Sequence, residues 1–191
     1  MEYKTAGWKL SDNRNYITFS DKMGIGTLKL RSGYQLDWYP KDLIKWVRLF
    51  KRADGYYVQF SVKVERQEEV SPASRSLGLD VGLASFYTDS EGNKVDNPRH
   101  LRRSEKALKR LQRRVSKKFL LGQPQSNNYK KAKKKLGRKH LKVTRQRKDF
   151  AVKSARCVVT SSDVVAYEDL SVANLAKNRR LAKSVSDAAW S

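Results

Sequence analysis

Between residues 99 and 149 the chain carries 21 lysines and arginines against only 2 acidic residues, a local net charge of +19 within a total of +23. The flanks are nearly balanced, with 15 basic and 13 acidic side chains in residues 1–98 and 6 and 4 in residues 150–191. A block of this kind repels itself and gains free energy when phosphates displace its counterions. It therefore calls for a polyanion, with nucleic acid as the leading partner, and excludes an ordinary enzyme surface. The alternative is a solvated helical face or a disordered tail. Apolar residues argue against disorder, because Leu101, Leu108, Leu111 and Val115 recur at helical spacing and Leu136, Val143, Phe150 and Cys157 follow at steps of seven. Between the two runs GQPQSNN (122–128) has the composition of a turn. The pattern predicts a basic helical hairpin over 100–160 with one apolar seam.

By charge density alone, the phosphate contacts fall to Arg102, Arg103, Lys106, Arg110, Arg113, Arg114 and Lys117 on the first helix. On the second they fall to Lys130, Lys134, Arg138, Lys142 and Arg145. Density does not separate RNA from DNA. Lipid is a poorer partner, since the seam is too narrow for burial in a membrane surface and the apolar runs fall far short of the ~20 residues a span requires. The first residues lack the apolar stretch of a secretory signal, so a cytoplasmic location is expected. A single cysteine, Cys157, rules out an internal disulfide and a cysteine-based zinc cluster, and its neighbours suggest an ordinary helix position. His100 and His140 stand alone in basic surroundings and read as phosphate or solvent contacts.

The fold class expected is α+β or α/β in two parts. Up to about residue 70, β-branched and aromatic residues alternate. KWVRLFKR (45–52) and YYVQFSVKVE (56–65) flank Asp54-Gly55 as a hairpin, with Tyr56, Val58, Phe60, Val62 and Val64 on one face. NYITF (15–19) and GTLKLR (26–31) add two strands, broken by Gly24 and Gly26. Four or more short antiparallel strands suggest a small Greek-key barrel. Trp8, Trp38 and Tyr57 either fill or cover that barrel or stack on bases. EEVSPASRS (68–76) reads as the linker to the second part, which starts at residue 77.

In LGLDVGL (77–83) an aspartate, Asp80, stands within an apolar alternation, and a carboxylate inside a strand is costly unless something compensates its charge. A turn follows at Ser90-Glu91-Gly92-Asn93. After the basic block, Val164, Val165 and Ala166 form a short apolar strand that ends in Tyr167-Glu168-Asp169. Two acids on neighbouring strands can hold Mg²⁺ through hard oxygen ligands, and two such ions can drive attack on a phosphodiester. The order of strands, helices and acids is that of an RNase H-like sheet. The rival reading has Asp80 ending a strand in a turn with Gly82, and Glu168 or Asp169 capping the following helix.

GLDVGL, the basic hairpin, VVAYEDLSV and the closing KSVSDAAW together resemble the TnpB (OrfB) proteins of bacterial insertion sequences, relatives of compact type V CRISPR effectors. The resemblance covers essentially the whole chain. It implies a wedge-type β-barrel over residues 1–70 and a RuvC-type nuclease domain of RNase H fold over 77–191. It implies catalytic and metal-ligating roles for Asp80, in the G-[LIV]-D-x-G pattern, and Glu168, in the E-[DN]-L pattern. Mg²⁺ is the implied cofactor, guide RNA and target DNA are the implied partners, and a bacterial or archaeal nucleoid-associated location follows. The chain departs from the family after Ser184, Asp187 and Trp190. The zinc ribbon and the third catalytic aspartate that follow there in the family are missing, as are helices around the wedge. No zinc is expected in this chain, Asp187 belongs to a helix start, and a truncated frame or a separate chain supplying the remaining RuvC segment is implied. Without a third acid, two ions would be under-ligated and cleavage slow or absent.

Overall fold

The computed structural model of the chain describes residues 1–20, 24–31, 36–65 and 72–188. Trp190 and the start of the expected linker lie outside the described residues. The protein is mixed α/β and divides into two compact units, Met1–Glu68 and Glu69–Ser191.

The described residues of the first unit form two three-stranded antiparallel sheets. Strands β1 (Glu2–Lys4), β5 (Ile44–Lys51) and β6 (Tyr56–Val62) form one, in the order β1-β5-β6. Strands β2 (Trp8–Leu10), β3 (Tyr16–Phe19) and β4 (Gly26–Lys29) form the other as a meander. A 3₁₀ turn at Thr5–Gly7 carries the chain from one sheet to the other. Alternation along each strand sends one set of side chains inward. Tyr3, Ile44, Val47 and Leu49 thus meet Trp8, Ile17 and Phe19 in one core. The Tyr3 and Phe19 rings lie 4.7 Å apart, and Trp8 meets Phe60 edge to face at 6.4 Å.

These sheets do not close into the expected barrel among the described residues. Closure needs a continuous ladder around the circumference, and the strands of three and four residues leave the two sheets hydrogen-bonded only within themselves. Trp8 is core, Tyr57 stacks on Phe50 at 5.7 Å, and Trp38 is exposed. On β6, Val58, Phe60 and Val62 pack against the core, whereas Tyr56 faces solvent under the Lys51 ammonium and Val64 lies exposed beyond the strand end. The hairpin closes one residue earlier than Asp54-Gly55 suggested: the Arg52 N–H donates to the Gly55 carbonyl, so Ala53 and Asp54 are the central pair. Gly24 and Gly26 both adopt left-handed backbone (φ +77° and +65°), which explains glycine at each.

In the second unit β7 (Ser76–Asp80), β8 (Ser85–Asp89) and β9 (Lys94–Asp96) form an antiparallel meander. Helices α1 (His100–Ser116) and α2 (Asn127–Thr160) intervene before β10 (Val164–Tyr167), which returns parallel to β7. The sheet order is therefore β10-β7-β8-β9. Two short helices, α3 (Val172–Leu175) and α4 (Ala182–Ala188), complete the unit. Phe150 of α2 meets Phe86 of β8 at 4.9 Å in a T-shaped contact, which seats the helix on the sheet.

The hairpin seam differs from the seven-residue pattern at its end. Leu108 and Val115 of α1 and Val143 of α2 are buried, but Val158 is buried in place of Cys157, which is exposed. A straight helix drifts about 20° per heptad against a strict repeat of seven. Over the two heptads beyond Val143 that drift amounts to about 40°, less than half of the roughly 100° step between residues, so pitch alone does not carry the seam from Cys157 to Val158.

Candidate functional site

Asp80 is the last residue of β7, and its strand interior position is thereby corrected: the carboxylate is exposed at a strand end and needs no buried partner. Beyond it the backbone bends through Gly82, where an added Cβ would stand 3.3 Å from the Ser85 carbonyl oxygen, so glycine lets the loop pass close to β8. The parallel ladder pairs Val164 with Ser76, Val165 with Leu77, Ala166 with Gly78 and Tyr167 with Leu79. Glu168 and Asp80 are the next residues on the two strands. The register thus delivers two acids, 88 positions apart in sequence, to the same end of adjacent strands. Immediately after, the Leu170 N–H donates to the Glu168 carbonyl at 3.0 Å, turning the chain away.

Strand β10 is an exposed edge rather than a buried strand, with Val164 and Tyr167 both open to solvent. The capping alternative for Glu168 and Asp169 finds no support: the N-cap of α3 is Ser171, with no side-chain capping bond. Asp80 and Glu168 are two hard oxygen donors in water, suited to one hydrated Mg²⁺, which keeps several waters and takes one or two carboxylates. Among the described residues no group of three or more His, Cys, Asp or Glu side chains is placed to hold a metal ion.

Asp187 has a different task. Arg99 precedes α1 in a left-handed conformation (φ 49°) and supplies no side-chain cap, and the first turn of α1 contains no acid. The Asp187 carboxylate, buried within α4, accepts the backbone N–H groups of Leu101 at 2.7 Å and Arg102 at 3.2 Å. It caps α1 from the far end of the unit and opposes the positive pole of the helix. Lys183, one turn earlier on α4, reaches Glu105 of α1 at 2.8 Å. The ammonium groups of Lys183 and then Lys109 hold the Glu105 carboxyl down to about 2. Composition offered no sign of this junction. The one local clue was a basic helix start with no capping residue before it.

All twelve side chains chosen by density, from Arg102 to Arg145, lie on exposed positions of the two helices. Lys109 pairs with Glu105 and Lys153 with Asp149, and the Arg102 guanidinium donates to the Ser184 hydroxyl at 3.4 Å. His100 is not a free surface group. Its ring meets Phe150 at 6.3 Å, and burial, reinforced by the Arg103 charge, lowers its pKa below 6.5. His140 is exposed, and its backbone carbonyl accepts the Thr144 hydroxyl. Lys118, Lys131 and Lys135 escaped the choice by density. They line a cleft of about 620 Å³ between α1 and α2. The larger cleft, about 1420 Å³, belongs to the first unit and is mainly apolar, with no part in the acid pair.

Residues 59–179, more than half of the chain, match the OrfB_IS605 family model, described as "Probable transposase". The chain belongs to this OrfB family. Asp80, Glu168 and the whole basic hairpin of the OrfB chain fall inside the matched span. It is 40% identical over 127 residues to a protein of Streptomyces pristinaespiralis named "Putative RNA-guided DNA endonuclease", a match covering 65% of this chain and 31% of that protein. It is 28% identical over 167 residues to "Putative RNA-guided DNA endonuclease InsQ" of Escherichia coli (strain K12), covering 87% of this chain and 39% of that protein. The OrfB chain therefore spans between three and four tenths of the length of these relatives. No helix among its described residues is long and apolar enough to cross a membrane.

Proposed function

We propose that this chain is part of a transposon-associated, RNA-guided, metal-dependent DNA endonuclease, with Asp80 and Glu168 as the metal-holding acids of an RNase H-like, RuvC-type sheet. The observation that carries the reading is the parallel register of β10 on β7, which makes Glu168 the neighbour of Asp80. Supporting it are the meander followed by a parallel fourth strand, the names of the two relatives, and the cationic hairpin inserted between the third and fourth strands. Mg²⁺, when bound, supplies Lewis-acid polarisation of a phosphodiester oxygen. The chain's own contribution is to hold the two carboxylates at one sheet end and to lay exposed Lys and Arg along guide RNA and target DNA. The first unit takes the place of a wedge domain in this reading.

A second reading is favoured by a specific observation. Asp187 is committed to the α1 backbone, and no third acid joins Asp80 and Glu168 among the described residues. A chain so equipped binds nucleic acid without cutting it. The two readings separate in one assay, Mg²⁺-dependent cleavage of DNA by the full chain with its guide RNA. The nuclease reading expects cleavage that Asp80→Ala and Glu168→Ala each abolish. Cleavage surviving Asp80→Ala would overturn the site, and binding without cleavage would establish the second reading.

A further inference from the structure

The tip of the hairpin combines two features that neither the acid pair nor the general basicity explains. The first is the cleft of about 620 Å³ between the end of α1 and the start of α2. Arg114, Lys117 and Lys118 face it from one helix and its end, and Lys131 and Lys135, one turn apart, from the other. Leu111 and Ala132 contribute its apolar lining, and no carboxylate lines it. From residue 106 to 148 the sequence contains no acidic side chain, so the charge that neutralises the cleft must come from outside this stretch. Five like charges around one cleft repel each other, and an anion threaded between the two rows relieves that repulsion.

The second feature is apolar. Phe119, Leu120 and Leu121 follow α1 with 51%, 49% and 87% of their surfaces exposed. The turn that presents them is braced rather than loose. Phe119 packs on Tyr129 of α2 at 6.0 Å, the Gln125 amide donates to the Leu120 carbonyl at 2.6 Å, and Gly122 takes the left-handed backbone (φ +68°) that closes the turn. Leu120 and Leu121 are thus held outward, immediately beyond the cationic cleft. A paired duplex offers phosphates but hides the faces of its bases. An unstacked strand presents phosphate and apolar base surface within one side-chain length of each other without the unstacking cost that a wedge between the base steps of a duplex has to meet.

We propose that the hairpin tip is a binding site for unstacked, single-stranded nucleic acid, whose phosphates lie in the α1–α2 cleft while Leu120 and Leu121 contact base faces. The assignment deepens the reading above, since it rests on nucleic acid being the partner. The two are separable because the tip is tested without divalent metal and without cleavage.

The test uses the full chain in EDTA with fluorescein-labelled single-stranded DNA, single-stranded RNA and blunt DNA duplex, read by anisotropy over a series of salt concentrations. Leu120→Ser/Leu121→Ser, which alters solvent-facing positions, is expected to weaken binding of at least one single strand by roughly 10-fold or more. Duplex affinity and the salt slope stay as they were, and the strand affected tells RNA from DNA. Lys118→Gln/Lys131→Gln/Lys135→Gln is expected to lower the slope of log K against log salt on that strand by about 2. Unchanged single-strand affinity in the leucine variant overturns the inference, as does an equal loss on duplex. Loss of self-association in sedimentation, with nucleic-acid binding intact, reassigns the tip to a second copy of the chain and also overturns it. An unchanged slope in the lysine variant removes the cleft from the site. If the unaltered chain binds none of the three probes, this inference and the nucleic-acid reading fall together.

Discussion

The Asp187 carboxylate accepts the Leu101 N–H at 2.7 Å across 86 positions of sequence, and through that bond the last described helix fixes the start of the basic hairpin. The acceptor is a buried carboxylate serving two backbone donors at a helix N-terminus, a charge-assisted arrangement stronger than a neutral cap. Asp187→Ala is expected to destabilise the second unit by roughly 1–3 kcal/mol, through the lost cap and the unsatisfied N–H groups. Asp187→Asn, which keeps an acceptor, should lose less. Urea denaturation followed by helical circular dichroism measures both, and equal stability of all three chains would refute the capping role.

Acid should loosen the same junction. The Glu105 carboxyl is held down to about 2 from an ordinary 4.5 by Lys183 and then Lys109. A depressed carboxylate contributes stability above its unfolded pKa and loses it as pH falls toward the folded value. The contribution is therefore complete above about pH 4.5 and disappears between there and about pH 2. Lys183→Met should flatten that part of the stability profile, measured as denaturation midpoint against pH.

His100 acts nearer neutrality. Burial, with help from Arg103, lowers its pKa below 6.5, so the unfolded chain takes up the proton before the folded one does. Stability should consequently fall as pH drops through 6.5, and His100→Gln should remove that dependence. An NMR titration placing the His100 midpoint at or above 6.5 would contradict the assignment.

A second carboxylate organises the entry to β7. Asp163 accepts the backbone N–H groups of Ala73 at 2.9 Å and Ser74 at 2.7 Å, and Ser74 has left-handed backbone (φ 50°). Asp163→Ala should cost about 0.5–1.5 kcal/mol, since water reaches the freed amides, and speed amide exchange at Ala73 and Ser74. Exchange unchanged at those two amides would show that other contacts hold the segment.

Within the first unit, Ile17 is fully buried between the two sheets. Ile17→Ala should destabilise that unit by about 2–5 kcal/mol, as expected for a cavity in a close-packed core. Because the unit is compact in itself, the loss should appear in the aromatic near-ultraviolet signal of Tyr3, Trp8 and Phe19 before it touches the helical signal.

What could be read ahead of the structure was whatever repeats at short range. The hairpin was legible from helical spacing and charge, and the β5–β6 pair from alternation, because both depend on neighbours within a few positions. Where reading failed, the deciding partner was distant or the geometry not quite ideal. The spacing of seven pointed to Cys157 where Val158 is the buried residue, and alternation pointed to a barrel where the described strands form two separate sheets, because no sequence pattern states which edge strands pair. His100 read as a surface group until Phe150 was found against it.

The candidate site divides the same way. Composition and order determined that Asp80 and Glu168 are acids associated with short apolar strands and that 43 consecutive residues between them, from 106 to 148, carry no negative charge, while the strand-end position of Asp80 came from the structure. That Glu168 stands beside Asp80, and that Asp187 serves α1 instead of joining them, was decided only when β10 took its register on β7 and α4 docked on the hairpin. Both facts rest on contacts closed across more than 80 residues. Their loop entropy is offset by the packing of the whole unit, a collective quantity that no local stretch of the chain encodes.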